Sequence, residues 1–444
     1  MGSSHRIVLG LALPIVVALG SCATEQGARP RVVGGPSVAR EVARPAGCTT
    51  VRAGRALQVA IDAAPEGAAL CLAAGDHWGP IRVTRRVTLW GPRDARVRSR
   101  GVGTTVEVKA DGSRLLGFTI DGSGTHYDTS DAAVRVHADD VRIEGLTIVH
   151  AIFGILVEQS NRVLVAGNDY TGDASVPTGL RGDGIRLWET RQSRVEGNHV
   201  RWARDCVMWY SSGNVFVGNT VEHGRYGAHL MYSHGNRLER NRFLHNVVGT
   251  FLMYSRNIEI VDSDYVDMST PAAMGIGLKE SGSVDIRRNR FVHCTVALYL
   301  DTTPLSRGEI DHIDRNQFVL CEKAIVFHGR AEGNTFRDNV LRDNREEVDV
   351  EGGGDALASI WSGNHFDDYE GYDFDGDGRG DVAYEERSLA SQLTSAHPNL
   401  AFFRGTPAMG VVEAMGKLVP LFAPRTIIRD SSPRIDAPSA EGMR

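Results

Sequence analysis

The residues with the clearest chemical potential are two methionines and a histidine in a repeated phrase. Met231 and Met253 each occur in Leu-Met-Tyr-Ser, and His229 precedes Met231 by two positions. Thioether sulfur selects soft monovalent copper, and imidazole also binds copper. If the phrases are stacked strands, all three side chains leave one face, which predicts a low-coordinate copper contact. From the spacing alone, methionines that fill space beneath a loop or a partner protein are the favoured interpretation.

A second candidate metal site lies near the C terminus. Asp373, Asp375 and Asp377 alternate along the chain, and Gly378 and Asp381 follow them. Acids at positions 1, 3, 5 and 9 with glycine at position 6 match the early part of a calcium loop, although position 12 lacks the bidentate glutamate. A cation-free loop of Asx turns is the alternative. The pattern favours calcium.

The first residues of the chain have the features of an export signal. An arginine precedes the apolar run at residues 7–19, which is too short to span a bilayer as a helix. The run ends in Leu-Gly-Ser-Cys, a pattern typical of a bacterial lipobox. We therefore predict that residues 1–22 are a lipoprotein signal peptide and that Cys22 becomes the lipidated N-terminus of the mature protein. A plain cleaved signal is the alternative. The Gly- and Pro-containing residues 23–45 predict a tether, and the expected location is the periplasmic face of a membrane.

Export places the remaining cysteines in an oxidising compartment. Cys48 and Cys71 flank one short segment and are the expected disulfide. The remaining three lie in apolar strand-like runs and are expected to be buried free thiols: Cys206, Cys294 and Cys321.

The body of the chain is a repeat that must position these residues. An apolar strand, a turn with Ser or Gly, and a closing Asn recur with a period in the low twenties, which indicates a solenoid. A leucine-rich repeat would need a helical return, which is not visible. We therefore predict an all-β fold, a right-handed parallel β-helix over residues 46–355, with a helical cap at residues 55–64 and a capping C-terminal segment at 356–444. One turn column is expected to hold Asn168, Asn198, Asn219 and Asn241.

Aligning the coils separates two side-chain columns by strand alternation. The apolar column should point inward and comprises Leu187, Met208, Leu230, Leu252 and Leu278. The next column should point outward and comprises Trp188, Trp209, Met231, Met253 and Lys279.

The composition and the absence of known catalytic motifs argue against two classes of function, nucleic-acid binding and catalysis. A net charge of −6 is a poor match for a protein that tracks a nucleic-acid backbone. The chain lacks the GHG turn of β-helix pectinases and the DPH signature of uronate epimerases. We therefore predict a protein that is not an enzyme.

Four segments resemble one family. These are RGDGIRLW at residues 181–188, the LMYS phrases at 230–233 and 252–255, and the Asp/Gly-rich segment that starts at Asn364. Together they closely resemble the NosD family of exported β-helix proteins of nitrous oxide reductase maturation, over about residues 55–430. The resemblance implies copper handling together with a membrane ABC transporter and a copper chaperone, and it favours His229, Met231 and Met253 as copper contacts. The alternative is a surface lipoprotein that binds or cleaves carbohydrate.

Overall fold

The computed structural model describes residues 39–351, 354–403, 406–418 and 424–438. Within these residues the chain winds through three strands per coil, and equivalent strands of successive coils pair in parallel. The fold is the predicted right-handed parallel β-helix, the hand expected for parallel crossovers. Only the last pair of strands, Tyr384–Arg387 with Thr426–Asp430, is antiparallel among the described strands.

Sheet A holds sixteen described strands, which are, in spatial order, Thr49–Val51, Ala69–Leu72, Thr88–Trp90, Arg114–Leu116, Arg142–Glu144, Leu164–Ala166, Arg194–Glu196, Val215–Val217, Arg237–Glu239, Arg256–Val261, Gly282–Arg287, Asp311–Asp314, Asn334–Arg337, Ile360–Ser362, Thr426–Asp430 and Tyr384–Arg387. Sheet B holds thirteen described strands, which are Gly75–Trp78, Ala95–Arg98, Thr119–Asp121, Thr147–Val149, Asp169–Thr171, His199–Arg201, Thr220–Glu222, Arg242–Leu244, Asp264–Val266, Arg290–Val292, Gln317–Val319, Val340–Arg342 and His365–Phe366. Sheet C holds twelve described strands, which are Ile81–Val83, Val106–Val108, Ala132–Val136, Phe153–Glu158, Ile185–Trp188, Asp205–Trp209, Tyr226–Met231, Val248–Met253, Met274–Lys279, Val296–Asp301, Lys323–His328 and Glu346–Glu351.

The N-terminal end of the solenoid is closed as predicted. Helix Leu57–Ala63 buries Leu57 and Ile61 against the first coils. Residues 39–45 lie along the solenoid, because Arg40 N donates to Gly167 O at 2.7 Å and Trp90 Nε1 donates to Val42 O at 2.9 Å. The predicted tether at 23–45 is therefore attached from residue 39 onwards. The signal peptide, Cys22 and the rest of the tether lie outside the described residues.

The predicted inward column on sheet C is buried. Its five side chains belong to one continuous apolar core, in which equivalent side chains of neighbouring coils stack. On sheet B the stack is aromatic: neighbouring ring centroids are 4.9–5.0 Å apart along Phe243, Tyr265, Phe291 and Phe318. This stacking removes apolar surface from water coil by coil, which is the main driving force of a solenoid.

The predicted asparagine column forms a hydrogen-bonded ladder at the turn between sheets A and B. Asn168 Nδ2 donates to Asn198 Oδ1 at 2.9 Å, and the next two steps, Asn198 to Asn219 and Asn219 to Asn241, measure 2.9 and 3.2 Å. Each amide also bonds main-chain groups, so these buried side chains are satisfied.

The C-terminal end differs from the predicted boundary at residue 355. The ladder continues to Asn364, whose Nδ2 donates to Asp430 Oδ2 at 2.8 Å, so the last coil closes against the strand Thr426–Asp430. The remaining described helices are α-helices Leu389–Ala396 and Pro407–Leu418 and 3-10 helices Thr178–Leu180 and Pro398–Phe403. In the described part of the chain, no helix has the length and hydropathy needed to cross a membrane.

Candidate metal site

Sheet C places the predicted copper residues side by side on its outer face. Met231 pairs with Met253 in the register of adjacent strands, with Trp209 before them and Lys279 after them. Both methionines are partly exposed. His229 lies in the neighbouring outward column, between Val207 and Phe251 in adjacent strands. The sequence-based alignment of these columns is confirmed by the strand register.

The repeated Leu-Met-Tyr-Ser phrase has a structural explanation at each position. The Leu enters the core, the Met points outward, and the Tyr takes a left-handed backbone that turns the chain. The Tyr rings stack outside, with centroids 5.4 Å apart for Tyr210 and Tyr232 and 4.8 Å for Tyr232 and Tyr254. The Ser points inward, and Ser233 Oγ accepts from Ser211 N at 3.1 Å. Of the four positions, only the methionine has no part in the core or in the turn.

The His229 side chain lies within a cage of aromatic rings. Its ring centroid is 4.8 Å from Tyr226, 5.6 Å from Trp209 and 6.4 Å from Phe251. Although its column points outward, His229 is only 6% exposed because these rings cover it. A shift of strand register between residues 205 and 207 brings Tyr226 into the cage, a feature that strand alternation alone could not predict.

Both ring nitrogens of His229 lack a hydrogen-bond partner within the described residues, and so does Trp209 Nε1. Unsatisfied buried polar groups are uncommon in folded proteins, because each costs about 1–3 kcal/mol. Burial, followed by the positive charge of Arg225, lowers the pKa of His229 to about 4. The imidazole is therefore neutral at physiological pH, which is the form that binds metal ions.

The nearby charged residues are already paired with one another. Asp183 is fully buried and contacts Arg186 at 2.6 Å and Arg204 at 2.8 Å. Asp205 contacts Arg225 at 2.5 Å, and the Arg225 guanidinium lies over the Tyr226 ring. These carboxylates are committed to ion pairs, so the cluster positions Tyr226 next to His229 and offers no free general acid or base.

The Asp/Gly-rich segment gathers three of its four predicted calcium ligands. Carboxylate oxygens of Asp373, Asp375 and Asp377 lie within 4.8 Å of one another. Asp381 instead accepts from Phe374 N at 2.6 Å. Asp373 also accepts main-chain hydrogen bonds, which lower the pKa of its exposed carboxyl group. The geometry is compatible with a cation and equally with the cation-free Asx-turn loop.

The cysteines divide as the sequence predicts. Cys48 and Cys71 are joined by a disulfide with Cα atoms 5.7 Å apart, which ties the first strand of sheet A to the second. The free cysteines of the described residues are all buried: Cys206, Cys294 and Cys321.

Comparison with known proteins agrees with this architecture. Residues 167–371 match the family described as "Periplasmic copper-binding protein (NosD)". Two curated relatives are each named "Probable ABC transporter binding protein NosD". The chain is 28% identical to the one from Stutzerimonas stutzeri over 394 residues, covering 83% of the chain and 87% of the relative. It is also 28% identical to the one from Pseudomonas aeruginosa over 389 residues, covering 83% and 89%.

Solved structures with the same fold include carbohydrate-active enzymes. The catalytic unit of an α-1,3-glucanase from Streptomyces thermodiastaticus aligns with a TM-score of 0.55 and 15% identity, covering 71% of this chain and 67% of that one. The A-module of a mannuronan C-5 epimerase from Azotobacter vinelandii aligns with a TM-score of 0.52 and 16% identity, covering 66% and 91%. At these identities the likeness shows the fold alone. The curated relatives and the family match show that the chain is similar to the NosD family, which is described as periplasmic and copper-binding.

Proposed function

We propose that the protein binds monovalent copper at His229, Met231 and Met253 on the outer face of sheet C and passes it to a partner protein. The observation that carries this proposal is His229, a buried and neutral imidazole whose two ring nitrogens have no hydrogen-bond partner among the described residues. A bound metal ion would supply the partner that the described residues do not.

The chemistry of these residues suits transfer better than storage. Two thioethers and one imidazole are ligands that favour copper(I) over hard cations. The rings of Trp209, Tyr226 and Phe251 exclude water from His229 and fix its position. The two methionine side chains remain partly exposed, so a partner could reach the ion from solvent.

The relatives' names support a role beside a transporter. We propose that the protein works with a membrane ABC transporter and a copper chaperone in assembling the copper centre of nitrous oxide reductase, without catalysing a reaction itself. A lipid attached to Cys22 would hold it at the membrane surface, next to such partners. The Asp373–Asp375–Asp377 loop would take calcium as a structural ion at the far end of the solenoid.

The double substitution Met231→Leu and Met253→Leu tests the copper proposal. Leucine keeps the volume and hydrophobicity of methionine, so the unfolding midpoint should change little. Copper(I) affinity, measured by competition with a coloured chelator, should fall, as should copper loading of the reductase in cells. Met208→Leu is the matched control, because Met208 is also a methionine of sheet C but belongs to the inward column and is buried in the core.

If the double variant binds copper(I) as tightly as the wild type but unfolds more easily, the methionines are packing residues. If copper binding falls but copper loading of the reductase in cells is unchanged, the site is real but the proposed client is wrong.

A further inference from the structure

Three sulfur-containing side chains occupy one inward position in three successive coils, at the turn between sheets B and C. They are Met268, Cys294 and Cys321. The main-chain ladder shows that they are neighbours: Thr295 N donates to Met268 O at 2.8 Å, and Glu322 N donates to Cys294 O at 2.9 Å. All three are buried, with exposed fractions of 0%, 2% and 2%.

The coils on either side carry asparagine at this same position. Asn246 Oδ1 accepts from Gly224 N at 2.8 Å, and Asn344 Oδ1 accepts from Cys321 N at 2.9 Å. Asparagine thus serves the turn where it occurs, as in the ladder between sheets A and B. Three consecutive coils replace this amide with sulfur, which gives the turn weaker hydrogen bonds and a cluster of soft ligands.

The two cysteines lie in adjacent coils at the same buried turn position. The neighbouring Cys294 side chain lowers the pKa of Cys321. The thiols donate to main-chain carbonyls: Cys294 Sγ lies 3.7 Å from Val292 O, and Cys321 Sγ lies 3.4 Å from Val319 O. The pair therefore places two buried sulfur atoms in adjacent coils, and the thiolate form of cysteine is the one that binds metal.

We propose that Cys294 and Cys321, with Met268 beside them, form a second metal site that holds one monovalent copper ion. Thiolate and thioether sulfur select copper(I), and structural zinc would require a fourth ligand. The ion would displace the thiol protons, up to two per ion, with no change in oxidation state. The proposal uses none of the residues of the His229 site, so either site can fail without the other.

The position of the turn explains how such an ion could be loaded. Leu320, directly before Cys321, is 55% exposed, so the sulfur atoms lie one residue beneath the surface. A local opening of the turn would admit an ion, which would then be shielded from solvent. We therefore expect slower exchange here than at the partly exposed methionines of sheet C.

The test counts copper(I) bound to the purified, reduced, full mature chain under anaerobic conditions. The Cys294→Ser, Cys321→Ser double variant should lose one ion per chain, whereas Met231→Leu, Met253→Leu should retain it. Cys206→Ser is the matched control, because Cys206 is also a buried free thiol and lies in sheet C, away from this turn. The Met231→Leu, Met253→Leu variant leaves Met268, Cys294 and Cys321 intact. Its X-ray absorption spectrum should show copper bound by sulfur alone.

Three results would each overturn the proposal. In the first, the cysteine variant binds as many copper ions as the wild type. In the second, the absorption spectrum of the folded methionine variant lacks an all-sulfur site. In the third, peptide mass spectrometry of protein isolated from the exported compartment shows Cys294 and Cys321 joined by a disulfide. The pair would then be a covalent link between coils.

Discussion

The asparagine turn and the His229 face show two ways in which one solenoid treats buried polar groups. At the turn between sheets A and B, each amide bonds the amide of the next coil and a main-chain carbonyl, as Asn219 does with Asn241 and Val195. On sheet C, His229 is nearly as buried but has no partner for either nitrogen within the described residues. The same repeat produces both, so coil geometry alone does not explain the difference.

The difference separates residues that stabilise the fold from residues available for binding. A satisfied buried amide contributes to stability, whereas an unsatisfied buried imidazole costs stability and is retained where it serves another purpose. Substitutions in the two regions should therefore have opposite effects on stability and on copper binding.

The largest effect on stability is expected at the asparagine turn. Asn219→Ala removes four hydrogen bonds, to Asn198 N and Nδ2, to Asn241 Oδ1 and to Val195 O. At about 1 kcal/mol each, the free energy of unfolding should fall by about 3–5 kcal/mol. Denaturant unfolding followed by circular dichroism measures this loss, and copper(I) affinity of the folded variant should be unchanged.

An exposed asparagine provides the control. Asn257 is exposed and has a left-handed backbone that glycine also adopts, so Asn257→Gly should cost little. Equal losses in the two variants would show that the ladder contributes no more than any surface residue.

A smaller effect is expected from the titration of His229. The unfolded chain binds this proton near the ordinary value of about 6.5, and the folded chain only near pH 4. Between these values the unfolded state holds more protons, so stability rises with pH and is lost as pH falls from about 6.5 to 4. The total is on the order of 3 kcal/mol.

The variant His229→Phe should flatten the acid side of this stability profile. His77, which is also buried but bonds Ala73 O at 2.9 Å, gives the comparison variant His77→Phe. If the profiles of wild type and His229→Phe coincide between pH 4 and 6.5, then His229 is protonated in the folded protein and the neutral-imidazole account is wrong.

The smallest effect is expected at the Asp/Gly-rich loop, which is exposed and far from the core contacts. Added calcium should raise the thermal midpoint by a few degrees at most, on the order of a 1 kcal/mol linkage effect. Asp375→Asn should abolish this shift, whereas Asp381→Asn should preserve it, because Asp381 bonds the main chain instead. If neither calcium nor a chelator changes the thermal unfolding midpoint, the loop is held by Asx turns alone.

Much of the fold could be predicted from the sequence because equivalent positions recur in successive coils, so that aligning the coils shows which side chains stack. The Asn168 to Asn241 spacing gave the ladder, and strand alternation gave the inward Leu230 and the outward Met231. The ladder continues past the expected boundary at 355 because the last coil is closed by Asp430, a residue distant in sequence and outside the repeat. The attachment of residues 39–45 likewise depends on tertiary hydrogen bonds that no local pattern reveals.

The candidate site was predictable only in part. Column alignment places His229 and Met231 on one outward face, but it does not predict that His229 is buried. The burial of His229 arises from the Tyr226 ring, which a register shift and the Arg225–Asp205 ion pair bring into place. Cys294 and Cys321 are predicted from the sequence only as buried free thiols, because sequence spacing does not show that they occupy the same turn position in adjacent coils.

The most direct test of the central claim is the copper(I) affinity of His229→Phe, measured by chelator competition in the Cys294→Ser, Cys321→Ser background so that one site is counted. Phenylalanine fits an aromatic cage and removes two unsatisfied nitrogens, so the variant should be at least as stable as its parent. We predict that its copper(I) affinity falls at least about tenfold, as expected when a ligand is lost. An unchanged affinity in a stable, folded variant would contradict the account.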